Sequence, residues 1–443
     1  MSISKFIKDS LETEELEKKS EQDNELSARI DFDTAYHSMV CGGCSCLCDD
    51  ISYFLNKGKI VRTLNLCEVA MKRLRTVSSG DVLPPFTSDA LQDQIKIATN
   101  LIKKNGPCLV LGAAGLGESG FIESRNFAKS IKGLFLPWLF PDMRRFYEQV
   151  KQFGYSTALL DEVRDHADIV FMWRCDPLDT HHRHLSRYSL FARGRYTERG
   201  HSDRNFVAIA SEKPVLEPLC QQYFEMNNEK DVQFILSLME PPQAEPPDHR
   251  DFSLLRNAIQ RCFYIAIFVD PVRMTDAALE VMFEWSAAVN TEGKKRIVIL
   301  PLWAGGANIA GFTQASLEID SAPWGADFTE SDLITSPSAN WETLAQKISS
   351  VIMIESGPDG GHRMAIPEPL AGKPKVIITP FKQNPVEKAD VVIPVALPGI
   401  ETEDRFLRAD GLPLKALRLP DLTVNDYPAA EQVFRKLTTE VIS

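Results

Sequence analysis

The chain has 443 residues, of which 44% are hydrophobic and 25% are charged, and its formal net charge at pH 7 is -12. This composition is typical of a folded globular protein with two or three domains, and the acidic balance argues against nucleic acid as the main partner. The sequence has no apolar run of about 18 residues that would cross a membrane and no apolar signal core at its N-terminus. We therefore expect a cytoplasmic protein that does not bind a membrane.

The composition changes along the chain in a way that predicts four parts. Residues 1–36 form a charged extension, which is either a solvated tail or a helix that orders on a partner. Residues 37–80 form a small cysteine-rich module, residues 81–355 hold α/β core domains, and residues 356–443 form a C-terminal α/β segment.

Five of the nine cysteines lie between residues 41 and 67. Three of them follow the spacing C-x2-C-x3-C, and a fourth comes after 18 intervening residues; they are Cys41, Cys44, Cys48 and Cys67. Three thiolates on a tight glycine-containing loop and a remote fourth one are typical of a [4Fe-4S] cluster. A structural zinc site and a vestigial, empty site remain alternatives. Cys46 lies between two of the predicted ligands and is not expected to be one.

The segment after the cysteine loop predicts a hairpin. Residues 49–54 and 59–62 flank the turn sequence Asn56-Lys57-Gly58. Such a hairpin returns the chain so that Cys67 faces the loop.

A helix is predicted to begin at Glu68. Its cations Lys72, Arg73 and Arg75 are candidates for a charge role near a cluster, or else solvated side chains.

From about residue 88 the pattern alternates between helix and strand. An amphipathic helix is predicted over residues 88–104, with Ser88 as N-cap and Gly106 as its stop. Buried strands are predicted at residues 108–112, 134–138, 169–173, 206–210, 263–269, 296–300, 375–379 and 391–395. This alternation predicts an α/β fold with several doubly wound parallel sheets.

A glycine pattern opens the first helix after a strand. Gly115, Gly117 and Gly120 fit G-x-G-x-x-G, and Asp142 follows at the distance of a ribose-binding acid. The pattern alone is weak evidence for a nicotinamide or flavin site. A plain glycine turn in a doubly wound domain is the preferred interpretation.

Two later loops are candidates for a site, because ligands bind at the carboxyl ends of parallel strands. The first follows the strand at 169–173 and contains His181, His182, Arg183, His184 and Arg187. An anion site, a His metal site and a structural or interface loop all remain open for it. The second runs from Gly305 to Gly311 and contains Asn308.

Five motifs in order resemble the B subunit of formylmethanofuran dehydrogenase, a family related to molybdopterin oxidoreductases such as formate dehydrogenase. They are C-G-G-C-S-C-L-C-D-D-I with Cys67, A-D-I-V-F-M-W-R-C-D-P, T-H-H-R-H-L-S-R-Y-S, G-G-A-N-I-A-G, and I-P-V-A-L-P-G-I-E-T-E ending in R-A-D-G-L-P-L-K. The resemblance covers nearly everything after about residue 38. It implies a molybdopterin-oxidoreductase type of α/β fold and a [4Fe-4S] cluster on Cys41, Cys44, Cys48 and Cys67.

The resemblance also implies a tungsten or molybdenum bis-pterin between the α/β domains, and here the sequence departs from the family. Catalytic members carry a Cys-His pair before the A-D-V strand, whereas residues 109–165 contain neither Cys nor His. Met143 and Arg144 occupy the place of the pair, and neither supplies an anionic thiolate or a proton-handling imidazole. We therefore expect the pterin to be absent, with His181, His184, Arg187 and Asn308 as remnants of its shell.

With this departure, the sequence resembles the B subunit of the formyltransferase/hydrolase complex of methylotrophic bacteria more than a tungsten dehydrogenase. That resemblance implies a structural, non-redox subunit in tetrahydromethanopterin-linked one-carbon metabolism, where formaldehyde is oxidised to formate. Its implied partners are the amidohydrolase-like A subunit, the C subunit and the formyltransferase D subunit of the same complex. The alternatives are a catalytic B subunit of the dehydrogenase and a dinucleotide-dependent oxidoreductase.

Overall fold

The structure is a computed structural model that describes residues 31–78, 87–245, 247, 250–320, 322–329, 340–355, 365–381, 388–422 and 427–442. Most of the extension predicted for residues 1–36 lies outside these ranges. None of the helices in the described part has the length and apolar character that a membrane crossing requires.

The described residues form sixteen strands and twelve α-helices. The strands are β1 (Thr34–Met39), β2 (Ile51–Asn56), β3 (Lys59–Leu64), β4 (Cys108–Leu111), β5 (Leu134–Leu136), β6 (Ile169–Trp173), β7 (Asn205–Ala210), β8 (Gln222–Glu225), β9 (Tyr264–Val269), β10 (Arg296–Pro301), β11 (Ala326–Asp327), β12 (Ser350–Ile354), β13 (Lys375–Thr379), β14 (Val391–Pro394), β15 (Asp404–Leu407) and β16 (Pro413–Ala416). The helices are α1 (Glu68–Ser78), α2 (Ser88–Asn105), α3 (Glu118–Ser130), α4 (Phe140–Phe153), α5 (Leu160–His166), α6 (Pro177–Thr180), α7 (Asp231–Leu238), α8 (Arg250–Arg261), α9 (Asp276–Glu292), α10 (Ile309–Asp320), α11 (Trp341–Lys347) and α12 (Ala430–Ile442).

The cysteine-rich module is a small antiparallel sheet in the order β1-β2-β3, followed by α1. The predicted hairpin is present as β2 and β3. Its two-residue turn places Lys57 at φ 49° and Gly58 at φ 73°, both in the left-handed region that a type I′ turn requires. The hairpin returns the chain toward the cysteine loop, and Cys67 immediately precedes α1.

The first large sheet has the strand order β11-β5-β4-β12-β13-β14. All neighbours in it are parallel except the short pair of β11 and β5. The strands β4, β12 and β13 are buried throughout, as expected for parallel strands covered on both faces. Helix α12 packs against both α2 and α3 over this sheet.

The second large sheet has the order β10-β9-β6-β7-β8 and is parallel throughout. Its strands lie within the chain segment that separates β5 from β12. The strands β12, β13 and β14 of the first sheet therefore follow the whole second sheet in the chain. One apolar cluster of buried residues contains side chains from both large sheets, among them Leu109, Ile169, Ile265 and Ile352.

The structure confirms the predicted fold class, with several doubly wound parallel sheets preceded by a cysteine-rich module. One local prediction was wrong, since the N-cap of α2 is Thr87 and Ser88 is its first residue. The Thr87 hydroxyl accepts a hydrogen bond from the Ala90 N–H at 3.2 Å. The helix ends at Gly106, as predicted, with φ 91°.

Candidate functional site

The cysteine loop is closed by its own backbone. The Cys41 N–H donates to the Cys48 carbonyl at 2.8 Å, and the Leu47 N–H donates to the Cys44 carbonyl at 3.1 Å. The Gly43 N–H points at the Cys41 sulfur, with 3.3 Å between nitrogen and Sγ. The loop therefore gathers three thiols within one tight turn and directs a backbone donor at one of them.

Burial dominates the chemistry of the four predicted ligands. Cys41, Cys44 and Cys48 are buried and Cys67 is half-buried. Burial raises the pKa of the Cys41 thiol to about 12, and the nearby Cys44 adds to this rise. Burial also raises the pKa of Cys48, with Cys41 and Cys44 as the next causes. The thiols are close enough to influence one another's ionisation, so they form one group.

Cys67 reaches the same group from the start of α1. Burial raises the pKa of its thiol, whereas hydrogen bonds from the backbone N–H groups of Ala70 and Val69 lower it, and Cys44 raises it again. Donors at the first turn of a helix favour a thiolate. Cys67 is thus placed as the hairpin predicts, facing the loop.

Cys46 is buried beside the group. A hydrogen bond with Cys46 is the largest cause that raises the pKa of Cys44. The Cys46 carbonyl accepts a hydrogen bond from the Tyr188 hydroxyl at 3.4 Å, which ties the loop to the second sheet's domain.

The donor set fits a [4Fe-4S] cluster in number and kind of ligand, because it offers four thiols with backbone donors beside the sulfurs. In the described part of the chain, no three His, Cys, Asp or Glu side chains converge on the position of a single metal ion. The cluster on Cys41, Cys44, Cys48 and Cys67 stays a prediction.

Two aspartates that follow the cysteine loop form a clamp with two arginines. Arg183 makes a bidentate contact with Asp50, at 2.6 and 2.7 Å, and Arg187 contacts Asp49 at 2.7 Å and also contacts Asp50. Arg183 precedes a short π-helical turn, Leu185–Ser189, that follows α6, and Arg187 lies within this turn. This Asp49/Asp50–Arg183/Arg187 clamp joins the cysteine module to the second sheet's domain.

The two histidines predicted as remnants of a pterin shell are engaged by protein groups. His181 lies 2.9 Å through Nε2 from the Ser45 hydroxyl and 2.7 Å through Nδ1 from the Thr180 hydroxyl. His184 is fully buried, with Nδ1 at 3.0 Å from the Ser189 hydroxyl. Burial lowers the pKa of His184 to about 3, so its ring is neutral at pH 7. The geometry therefore favours the structural interpretation of this loop.

The two glycine loops pack directly against each other. Asn308 donates from Nδ2 to the Leu116 carbonyl at 2.9 Å and accepts from the Leu407 N–H at 2.8 Å. A Cβ on Gly306 would lie 2.4 Å from the Ala114 carbonyl oxygen, so this position requires glycine. Asn308, like His181, holds together segments that are far apart in the chain.

The N-terminus of α3, where a pyrophosphate would bind, carries a carboxylate of the protein itself. Asp404 accepts from the Ser119 N–H at 3.1 Å, and a Cβ on Gly117 would lie 2.2 Å from the Asp404 carboxyl carbon. Arg405 pairs with Glu118 at 2.8 Å in the same place. Asp142, the proposed ribose ligand, lies in the first turn of α4 with Arg145 at 3.8 Å. The G-x-G-x-x-G loop is thus a glycine turn, and Asp404 of β15 caps the helix that follows it.

Met143 and Arg144, which the resemblance places at the family's Cys-His pair, do not fit a tungsten or molybdenum site. Met143 is completely buried among apolar side chains in α4. Arg144 is partly exposed and pairs with Glu148 one turn further along the helix, at 2.8 Å. A thioether within the core and a guanidinium paired at the surface supply neither an anionic ligand nor a proton carrier.

A cavity of about 630 Å³ opens at the carboxyl ends of β6 and β7, where α/β proteins bind ligands. Its lining includes Asp176, Asp179, Lys213 and Arg273. A second cavity of about 190 Å³ shares Asp176, Asp179 and Arg273 and adds Asp270, whose pKa burial raises to about 6. The sequence pattern marked the following loop as a candidate and did not single out these residues, although Asp176-Pro177 directly after a buried strand is a signal for a strand-end turn.

Comparison with known proteins finds two curated sequences that are similar to this chain over most of its length. The chain is 22% identical over 418 residues to the B subunit of the tungsten-containing formylmethanofuran dehydrogenase 2 of Methanocaldococcus jannaschii, and the match covers 87% of this chain and 93% of that one. It is 22% identical over 434 residues to the protein of the same name from Methanococcus maripaludis, with 91% and 98% covered. Over most of its length the chain is thus similar to the B subunit of formylmethanofuran dehydrogenase. No protein-family model matches it.

A solved structure shares the fold. It is the formyltransferase/hydrolase complex of Methylorubrum extorquens with methylofuran, one chain of which matches at a TM-score of 0.64 and 15% identity over 82% of this chain and 98% of that chain. At this identity the likeness concerns the fold. It shows that the architecture described here occurs in a chain of a formyltransferase/hydrolase complex.

Proposed function

We propose that this chain is the B subunit of a formyltransferase/hydrolase complex in tetrahydromethanopterin-linked one-carbon metabolism. In this proposal it is cytoplasmic and has a structural role, and the formyl group is transferred and hydrolysed on the amidohydrolase-like A subunit and the formyltransferase D subunit. The C subunit of the complex lies next to it.

One observation carries the proposal: Met143, which the resemblance places at the family's Cys-His pair, is buried in the core, and its neighbour Arg144 is paired at the surface. The contacts of the shell residues support it. His181, Arg187 and Asn308 are bound to protein groups that join the cysteine module, the glycine loops and β15. These residues hold distant segments together, which is what a structural role requires of them.

In this proposal Cys41, Cys44, Cys48 and Cys67 hold a [4Fe-4S] cluster. When bound, the cluster fixes the cysteine loop to α1 and can accept one electron. We propose no tungsten or molybdenum pterin, because the residues at the metal position do not fit one.

The test is elemental analysis of the chain after anaerobic purification with its partner proteins. We expect about four irons per chain and neither tungsten nor molybdenum. A heavy metal near stoichiometry would restore the second candidate, a catalytic B subunit of formylmethanofuran dehydrogenase, which the names of the two sequence relatives favour. Formate release from a formylated carrier by the complex, without an electron acceptor, separates the two activities.

Replacing Cys44 by Ser tests whether the cluster is structural. We expect loss of iron and of complex stability, measured by iron content and by size-exclusion chromatography. Cys262→Ser is the matched control, since Cys262 is a buried thiol outside the group. Unchanged iron and assembly in Cys44→Ser would mean that the site is vestigial.

A further inference from the structure

One of the three cations on α1 is buried against the cysteine loop. Lys72 pairs with Glu68 at 3.1 Å on the surface, and Arg75 is exposed, but Arg73 is only 7% exposed. The Arg73 guanidinium covers Gly42, because a Cβ there would lie 2.8 Å from Nη1. The other Nη donates to the Pro398 carbonyl at 3.2 Å. Of these three cations, Arg73 is therefore the one that is buried against the cysteine loop, a difference that the sequence does not reveal.

A buried guanidinium is costly unless negative charge faces it. Arg73, Cys41 and Tyr53 line the same small cavity, so the Cys41 thiol is one of the groups that face the guanidinium. A thiolate, which Cys41 carries when it binds metal, is therefore a negative charge placed to match Arg73.

The other arginines near the thiols are balanced differently. Arg183 and Arg187 act on the Cys48 side, where Asp49 and Asp50 pair with them. Two cations and two anions leave that side near neutrality. Arg73 stands on the Cys41 side, so it supplies the positive charge that acts on the thiol group from there.

We propose that Arg73 is the counter-cation of the cysteine centre and that it sets the reduction potential of the cluster bound there. The inference rests on the proposed cluster. Each one-electron reduction adds a negative charge to the cluster and its four thiolates. A fixed cation next to Cys41 stabilises the reduced form more than the oxidised form, since the site is buried and poorly screened.

The experiment uses the anaerobically purified full chain with its partner proteins and titrates the cluster with dithionite, following the reduced form by electron paramagnetic resonance. Arg73→Met is expected to shift the equilibrium toward the oxidised form by about tenfold, which is about 59 mV more negative for a one-electron couple. Arg73→Lys keeps the charge and is expected to keep the potential. Lys72→Met is the matched control, because it removes a solvent-screened cation from the same helix.

A second variant applies if Arg73→Met does not fold. Gly42→Ala keeps the charge but displaces it, because the added Cβ and the guanidinium cannot share the space, and the potential is expected to fall there too. An unchanged reduction potential in Arg73→Met refutes the role of Arg73 and leaves the cluster in place. If Arg73→Met does not fold, an unchanged reduction potential in Gly42→Ala has the same meaning. A wild-type chain that neither contains iron nor takes up iron and sulfide on reconstitution refutes the cluster and the role of Arg73 together.

Discussion

At the scale of the residue, the ion pair of Arg174 and Asp231 is the most deeply buried charge contact described. Their side chains are 2% and 0% exposed, and the contact is bidentate, at 3.0 and 2.7 Å. Burial raises the pKa of Asp231 although Arg174 opposes the rise. Removing either partner would therefore leave the other as an uncompensated buried charge, which destabilises the fold.

We expect Asp231→Asn to lower the free energy of unfolding by about 3–5 kcal/mol, because it leaves the Arg174 charge buried without its anion. Urea denaturation followed by circular dichroism measures the change. The control is Glu148→Gln, which breaks the exposed pair with Arg144 and should cost no more than about 0.5 kcal/mol. Similar losses in the two variants would contradict this account.

His184 gives a prediction for pH. Its pKa is lowered to about 3 by burial, whereas the unfolded chain binds a proton at the ordinary pKa of about 6.5. The unfolded state therefore binds more protons between these values, and stability falls as pH falls below about 6.5, by up to about 1.4 kcal/mol per pH unit.

The comparison of wild type with His184→Gln isolates this effect from the carboxylates. The Tyr188 ring and the Ser189 hydroxyl face His184, and Phe268 packs against it at 4.4 Å between ring centroids. The stability advantage of wild type over the variant should shrink from pH 7 to pH 5. An advantage that stays constant over that range would show that His184 does not titrate as its burial requires.

The sequence predicted the types of residue in the site better than their roles. Spacing predicted the grouping of Cys41, Cys44 and Cys48, because the three thiols share one short loop, and their role as cluster ligands stays a prediction. The partners of Arg187 and Asn308 were not, because Asp49 lies 138 residues from Arg187 and the Leu407 N–H lies 99 residues from Asn308. Such contacts depend on how distant segments pack, which local patterns do not record.

At the scale of the element, the hairpin and the glycine turn show that local patterns predict turns but not the distant residues that contact them. Asn56-Lys57-Gly58 predicted the turn of β2 and β3, because positive φ values are a local demand of the backbone. The G-x-G-x-x-G pattern correctly predicted a strand-to-helix turn. It could not reveal the capping Asp404, which lies 285 residues from Ser119.

The Asp49/Asp50–Arg183/Arg187 clamp predicts how the cysteine module opens. Asp50 is 38% exposed, so we expect Asp50→Asn to cost only about 1 kcal/mol, less than a buried charged hydrogen bond. The loss should appear as faster amide hydrogen exchange confined to β1, β2 and β3, since these strands form their own sheet.

Glu403→Gln is the control for the clamp, because it breaks an exposed pair with Lys415 in the short hairpin of β15 and β16. Exchange in the cysteine module should be unchanged in that variant. Equal acceleration in the module and in the second large sheet would mean that the clamp does not define a separate opening unit.

At the scale of the whole molecule, the pairing of β12 with β4 decides the architecture. Ser350 pairs with Cys108 across more than 200 residues, and the whole second large sheet lies between them in the chain. Periodicity predicted β4 but did not predict β12. Their pairing could not be predicted either, because the hydrophobic pattern of a parallel strand is the same whichever neighbour it has. The position of β12 at the centre of the first sheet is therefore a property of the assembled molecule.

This arrangement predicts that the two large sheets unfold together. Ile352 lies in β12 with no exposed surface, opposite Val110 and Val376, and belongs to the apolar cluster that both sheets share. We expect Ile352→Ala to cost about 2–4 kcal/mol through lost burial and a residual cavity. Because the core is shared, amide protection should fall in β9 as well as in β13, and thermal unfolding should remain a single transition at a lower temperature. Ile97→Ala, at a half-exposed position on α2, should leave both sheets unchanged. If protection fell in β13 alone, with a second transition at the wild-type temperature, the sheets would be separate folding units in spite of their common core.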